Sequence, residues 1–213
     1  MAIEPENRQF RLPFRGGKNF KRSFSQAGQD VFVLSMLDGK RDGVFLDLGC
    51  NQPILLNNTY LLESEYGWRG LSVDIDERYF DRFVFRQTAT LAADCRRLDW
   101  QAVIEMLETA SVDYLSLDLE PPLSTLECLE SIPFETINFS VITFEHDAYR
   151  AGEAVREPSR RILAENGYER LCSDVMLDGL EFEDWYYHPR LVDGERCSGF
   201  ACSKESWEDI IFV

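Results

Sequence analysis

No stretch of about 18 apolar residues occurs in this 213-residue chain, so no membrane-crossing helix is encoded. No CxxC pair is present, which argues against a four-sulfur zinc site. The six cysteines, Cys50, Cys95, Cys128, Cys172, Cys197 and Cys202, are widely spaced. They are expected to be buried small hydrophobes rather than a disulfide frame. Histidine is confined to His146 and His188. Positive charge is scarce: 22 Lys and Arg face 38 Asp and Glu, a net charge of −16. A chain this acidic repels phosphate backbones and anionic bilayers, so neither nucleic acid nor membrane is an expected partner. The opening MAIEPENRQFRLPF has acids where a secretory signal wants basic residues, and no continuous apolar run. A cytoplasmic location is the expectation.

What is present is ordinary for a globular protein, with 45% apolar and 28% charged residues, and the length suits one domain. The charge is unevenly spread. Residues 1–24 carry Arg8, Arg11, Arg15, Lys18, Lys21 and Arg22 against Glu4 and Glu6, a local +4 that leaves −20 for the rest. The expected organisation is a basic N-terminal arm (1–24), lying on the acidic body, and a single domain over 25–213.

Periodicity gives a regular alternation of elements. Ser25 is placed as the cap of a helix running to about Leu37. A buried strand, Val44–Leu48, follows between Gly43 and Gly49. Residues 57–66 read as helix, Leu71–Ile75 as strand, Ala89–Ala93 as a weak strand, Gln101–Ala110 as helix and Val112–Leu119 as strand. Ser124 and Glu127 have capping-box spacing for a helix stopping before Pro133. Phe139–Phe144 is a fifth strand, and a helix is expected from Glu157-Pro158 to Asn166-Gly167. Tyr168–Ser173 and about 198–203 read as two last strands, paired antiparallel at the edge. The pattern predicts an α/β fold: a Rossmann-like, doubly wound, mostly parallel sheet with an antiparallel edge.

In such sheets ligands bind beyond the carboxyl ends of the strands. Each of the five central strands ends in acids or amides: Asp47 with Gly49 and Asn51; Asp74 and Asp76; Asp94; Asp118 and Glu120; Glu145, His146 and Asp147. A dinucleotide cradle would need G-x-G-x-x-G after the first strand, but no glycine follows Gly49 through residue 66. Asp74 lies 27 residues after Asp47, near the spacing at which an acid accepts ribose hydroxyls. A ribose without a diphosphate points to S-adenosylmethionine, whose cationic sulfonium suits an acidic rim.

The string FLDLGCNQPILLNNTYLLESEYGWRGLSVDID resembles the opening of the FkbM-type methyltransferases, class I S-adenosylmethionine-dependent enzymes, many of which methylate oxygen. SQAGQD (Ser25–Asp30), VDYLSLDLEPP (Val112–Pro122) and VITFEHDAYR (Val141–Arg150) extend the likeness, which runs from about residue 25 to 190. The resemblance implies that Asp47, Gly49 and Asn51 line the cofactor's methionine end. It further implies that Asp74 holds the ribose and that Asp94 and Cys95 lie near the adenine. The chain departs from the family pattern at Gln52 and Pro53; the proline removes one backbone donor from the cofactor loop.

On the acceptor side, Asp118, Glu145 and His146 are the expected catalytic residues, with His146 as general base. The same three residues are candidate ligands for a divalent metal. The alternative for the carboxylates is simple pairing with Arg150 or Arg160. Glu120, Asp147, Trp185, Tyr186 and His188 are the expected acceptor-binding residues, the last three on the aromatic, acidic loop Phe182–Pro189. The expected reaction is O-methylation of a small metabolite or sugar. N-methylation of a sugar or peptide and a non-catalytic cofactor-binding module are the rivals.

Overall fold

The computed structural model describes residues 9–213, so Glu4, Glu6 and Arg8 of the basic arm lie outside the described residues. Eight strands form one sheet in the order β3-β2-β1-β4-β5-β7-β6-β8. β1 (Val44–Leu48), β2 (Arg69–Asp74), β3 (Ala89–Ala92), β4 (Ser111–Leu117) and β5 (Asn138–Glu145) are mutually parallel. β6 (Glu169–Leu177) and β7 (Leu180–Tyr187) form a hairpin, and β7 enters the sheet antiparallel to β5. β8 (Cys202–Ser203) adds two residues parallel to β6. The fold is the doubly wound, mostly parallel sheet with an antiparallel edge that the alternation of elements predicts.

Strand alternation sends successive side chains to opposite faces, and each face is covered by helices. Phe45, Tyr114, Val141 and Trp185 pack against α1 (Gln29–Met36), α2 (Tyr60–Tyr66) and α8 (Trp207–Ile211). Leu46, Val73, Leu115, Ile142 and Tyr186 pack against α3 (Trp100–Leu107), α4 (Pro122–Ser131) and α6 (Glu153–Glu165). Two further one-turn helices, α5 (Ala148–Ala151) and α7 (Gly194–Cys197), complete the set. The N-terminal segment is tied to the first layer: Phe14 is buried there, Phe10 and Phe20 pack on it, and Arg11 N donates to Ile211 O at 2.9 Å. No helix among the described residues is long and apolar enough to cross a membrane.

Several boundaries differ from the sequence reading. Helix α1 starts after Gly28, not at Ser25, because Gly28 sits at φ +72° under Trp207, where a Cβ would lie 2.5 Å from the indole. The Ser25 hydroxyl donates instead to the buried Asp30 carboxylate at 2.8 Å. Helix α4 starts at Pro122 after Pro121, so Ser124 and Glu127 lie within it and form no capping box. Helix α6 starts at Glu153 and carries Pro158 internally. The expected loop Phe182–Pro189 is largely strand β7, reached through Asp178-Gly179, both at positive φ as a tight hairpin turn requires. Only Cys202–Ser203 of the expected last strand pairs, in parallel rather than antiparallel fashion.

Candidate functional site

A cleft of about 380 Å³ opens beyond the carboxyl ends of β1, β2, β3 and β4. Asp47, Gly49, Asn51, Asp74, Asp94 and Cys95 all line it, together with Asp118 and Glu120. Gly49 turns the chain out of β1 at φ +88°, and a Cβ there would stand 1.7 Å from Asp118 O. The close approach of the β1 and β4 ends therefore depends on this glycine. Asp74 closes β2 and orders the facing loop: its Oδ2 accepts from Asn51 N at 3.0 Å and its Oδ1 from Asp76 N at 2.9 Å.

Asp47 is buried and accepts from the Thr59 hydroxyl at 2.9 Å. Burial raises its pKa, and the Thr59 hydrogen bond and the Arg86 charge oppose that rise. Arg86 is the clamp of the loop after β1. Its buried guanidinium donates to Glu63 at 2.9 Å, Pro53 O at 2.7 Å, Asn57 Oδ1 at 3.1 Å and Thr59 Oγ1 at 3.1 Å. Pro53 is buried, with its carbonyl turned to Arg86, and it does not line the cleft. Asn58 donates to Ser116 Oγ at 3.0 Å, while its Oδ1, buried beside the cleft, has no partner.

At the β3 end of the cleft, Asp94 caps the turn Cys95–Arg97 and pairs with Arg96 at 2.8 Å, which holds its carboxyl below the usual range. Burial pushes the Cys95 thiol up to about 12, so it is a neutral wall of the cleft.

At the ends of the neighbouring strands β4 and β5, Asp118 and Glu145 lie close enough that the charge of each affects the titration of the other. Asp118 is half-buried and faces the cleft; burial pushes its carboxyl up to about 7. Glu145 is buried and raised well above the ordinary carboxylate range, first by burial and then by the Asp118 charge. Glu183 stands opposite Glu145 in the β5–β7 register and accepts from Trp185 Nε1 at 2.7 Å. Burial pushes it up to about 8. The arginines named as alternative partners go elsewhere: Arg150 binds Glu120 at 2.5 Å and Asp147 at 2.8 Å, and Arg160 binds Asp184 at 2.7 Å.

The structure does not bring the remaining acceptor residues to the cleft. His146 is fully buried on the α6 side of the sheet. Its Nδ1 accepts from Ala148 N at 3.1 Å, and its Nε2 stands 3.4 Å from Asp184 and 3.7 Å from Asp174. One residue of strand alternation separates it from Glu145, so it is not placed to take a proton from a ligand in the cleft. Asp118, Glu145 and His146 do not converge as metal ligands for the same reason. Among the described residues a ligand-spaced cluster does form from His146, Asp174 and Asp184. Its carboxylates already hold the guanidiniums of Arg156 and Arg160, each at 2.8 Å from Asp174, so cations occupy the place of a metal.

The expected aromatic platform is also core. Because β7 runs antiparallel, its later residues lead away from the cleft: Trp185 stacks on Phe32 at 4.4 Å, and Tyr186 donates to Asp184 at 3.0 Å. His188 lies near the start of β5, where its N–H donates to Ser140 O at 2.9 Å. Its ring meets Tyr168 edge-on at 5.1 Å. The sequence reading overlooked Asn58, Thr59, Arg86 and Glu183. The period-two alternation of β7, paired through its Asp-Gly turn, is the signal that puts Glu183 beside Glu145.

No family model matches the chain, and no curated protein matches it. Solved structures do. A protein described as an rRNA methylase from Clostridium thermocellum is 15% identical, covers 76% of this chain and 97% of its own, and superposes with a TM-score of 0.53. An rRNA methylase from Streptococcus thermophilus is 13% identical over 75% of this chain and 93% of its own, with a TM-score of 0.49. A SAM dependent methyltransferase from Archaeoglobus fulgidus is 17% identical over 67% of this chain and 69% of its own, with a TM-score of 0.43. At these identities the likeness is one of fold alone: the chain has a Rossmann-like fold similar to that of the Clostridium thermocellum protein.

Proposed function

We propose that the protein is an S-adenosylmethionine-dependent methyltransferase of FkbM type that methylates a hydroxyl of a small metabolite or sugar. The observation that carries this reading is the acid-lined, nucleoside-sized cleft beyond the carboxyl ends of β1 to β4, with Asp118 on its wall and Glu145 at the end of the neighbouring strand β5.

The cleft residues fit the cofactor. Each Asp74 oxygen accepts one backbone N–H and keeps a lone pair for a ribose hydroxyl. The unpartnered Asn58 Oδ1 and the buried Asp47 offer acceptors to an ammonium group. Cys95, Ala93 and Ile75 give a neutral wall for a purine. With Pro53 turned to Arg86, the loop leaves the cleft open, which favours a binding site over a closed, vestigial one. The bound cofactor would supply an electrophilic methyl group.

The chain's own task is then to orient the acceptor and hold its proton. Burial, with repulsion from Asp47, Asp147 and Glu120, brings Asp118 to about 7 against the opposing effect of Glu145, so at neutral pH its carboxylate is a basic acceptor for a hydroxyl proton. Glu145, raised by burial and by the Asp118 charge, stays protonated beside it. Glu120, held by Arg150, lines the cleft as an acceptor contact, while the buried Asp147 supports it through the same arginine. Two fold neighbours are described as rRNA methylases, but the acidic rim here disfavours a phosphate backbone at the cleft and favours a small acceptor.

The test is a calorimetric titration with S-adenosylhomocysteine on the wild type and Asp74→Ala, followed by methyl transfer to a panel of hydroxyl and amine acceptors. Binding lost in the variant, with methyl appearing on oxygen, is the expected result. Methyl appearing on nitrogen overturns the O-methylation reading. Binding without transfer leaves a non-catalytic module, and no binding overturns the cofactor assignment.

A further inference from the structure

A second, larger groove of about 760 Å³ lies between the N-terminal segment and α2. Its basic lining residues are Lys21, Arg22 and Arg41, its aromatic ones Phe20, Phe24 and Tyr66; Glu65 is the acid among its lining residues. On a chain of net charge −16 this grouping runs against the overall field. The basic arm does not spend these charges on its own body. Arg15 pairs with Asp38 at 2.9 Å and Arg11 with Glu205 at 3.9 Å, but Lys21, Arg22 and Arg41 form no ion pair among the described residues.

Two of the cations instead stand over aromatic rings. The Arg22 guanidinium sits 4.4 Å above Phe24, and that of Arg41 5.7 Å from the Tyr66 centroid. A guanidinium held this way keeps its N–H fork for a phosphate and offers its outer plane to another flat ring. Phe24 is itself fixed: its carbonyl accepts from Asn57 N at 3.1 Å and its ring meets Tyr60 at 4.7 Å.

We propose that this groove is a binding site for a phosphorylated, ring-bearing ligand of the nucleotide class, either a free nucleotide or a nucleotide within a single strand. Lys21 and Arg41 neutralise phosphate, and Arg22 stacks the ring. The acid–base character of the ligand separates it from the cofactor cleft, where anions are repelled. Occupation of the groove needs no bound cofactor. Phe24 lines the groove and Gln26, two residues on, lines the cleft, so a ligand longer than one nucleotide could reach from one toward the other.

The experiment measures equilibrium binding at low and high salt, without cofactor, for three probes: adenosine 5′-monophosphate, ribose 5-phosphate and a fluorescent single-stranded oligouridylate. The proteins are the wild type, Lys21→Glu/Arg41→Glu, Arg22→Lys and the control Arg190→Glu, whose charge lies outside the groove. The expected result is nucleotide binding weakened at least tenfold by the double charge reversal and little changed by the control. Arg22→Lys keeps the charge but removes the stacking plane. It should weaken the mononucleotide severalfold while leaving ribose 5-phosphate unchanged. A much tighter oligouridylate, with a steeper salt dependence that the double reversal flattens, assigns the groove to single strands. Tighter mononucleotide binding assigns it to free nucleotides. Absence of binding for all three probes overturns the proposal, as does equal weakening by the groove and control variants. The far-ultraviolet circular dichroism of each variant checks that it is folded.

Discussion

The Asp118 and Glu145 carboxyls adjoin at the ends of adjacent parallel strands, β4 and β5, Asp118 one strand away from the glycine turn that ends β1. Two acids this close, Glu145 buried and Asp118 half-buried, cannot both be ionised cheaply, so the pair retains a proton well above the pH at which isolated carboxyls lose theirs. Both groups of predictions about pH follow from that proton.

If the pair is the base, turnover rises with pH through a single limb near 7, because only the deprotonated form accepts the acceptor's proton. Asp118→Asn should lower turnover by about 10² or more and remove the limb, with S-adenosylhomocysteine affinity nearly unchanged. A pH–rate profile of both proteins checks this; an unchanged limb in the variant would sink the assignment.

The same proton affects folding with a definite sign. A carboxyl whose pKa is raised in the folded state favours folding below its unfolded pKa, and that contribution is lost as pH rises through the folded value, here from about 4 to about 7. Asp118→Asn removes this loss. The variant should therefore be more stable than the wild type at pH 8 by roughly 1–3 kcal/mol and show no such gain at pH 4. Denaturant titrations at the two pH values measure the difference.

His146 is expected to behave as a structural residue. Removing it vacates a buried position against Asp184 and leaves the Ala148 N–H unpaired, so His146→Ala should cost about 1–3 kcal/mol of stability. The pH limb of turnover should stay where it is. A shift or loss of that limb in this variant would return His146 to the chemistry.

Arg86 holds the loop after β1 through four acceptors, and its side chain is 1% exposed. Arg86→Met leaves the Glu63 carboxylate buried without its partner and should destabilise the protein by about 3–5 kcal/mol. Hydrogen exchange at the Asn51–Thr59 amides should rise in the variant before exchange in β4 or β5 does.

The parallel half of the sheet was legible because each strand is a short apolar run between turn residues, and β1 falls at the expected residues, Val44–Leu48. The six expected cofactor residues line one cleft because the ends of parallel strands share one rim whatever their side chains do. The acceptor side was less legible for two physical reasons. At the end of β5 adjacent residues diverge: Glu145 turns to the face it shares with Glu183, and His146 to Asp184 and α6. In β7 the acids are buried as partners, Asp184 of Arg160 and Glu183 of the Trp185 indole, so the segment has the composition of a surface loop. Pairing of buried charge is a tertiary property that local composition does not carry.

The sheet begins with a four-residue strand, β3, and finishes with a two-residue strand, β8. A strand from another molecule would find little unsatisfied backbone at either border, too little for a stable ladder to grow. The longer strands β4, β5 and β7 have neighbours on both sides, and β6 is covered on its outer side at Cys172–Ser173 and at the Met176–Ser206 bridge. Self-association of this protein is thereby steered away from strand addition and toward its helical faces.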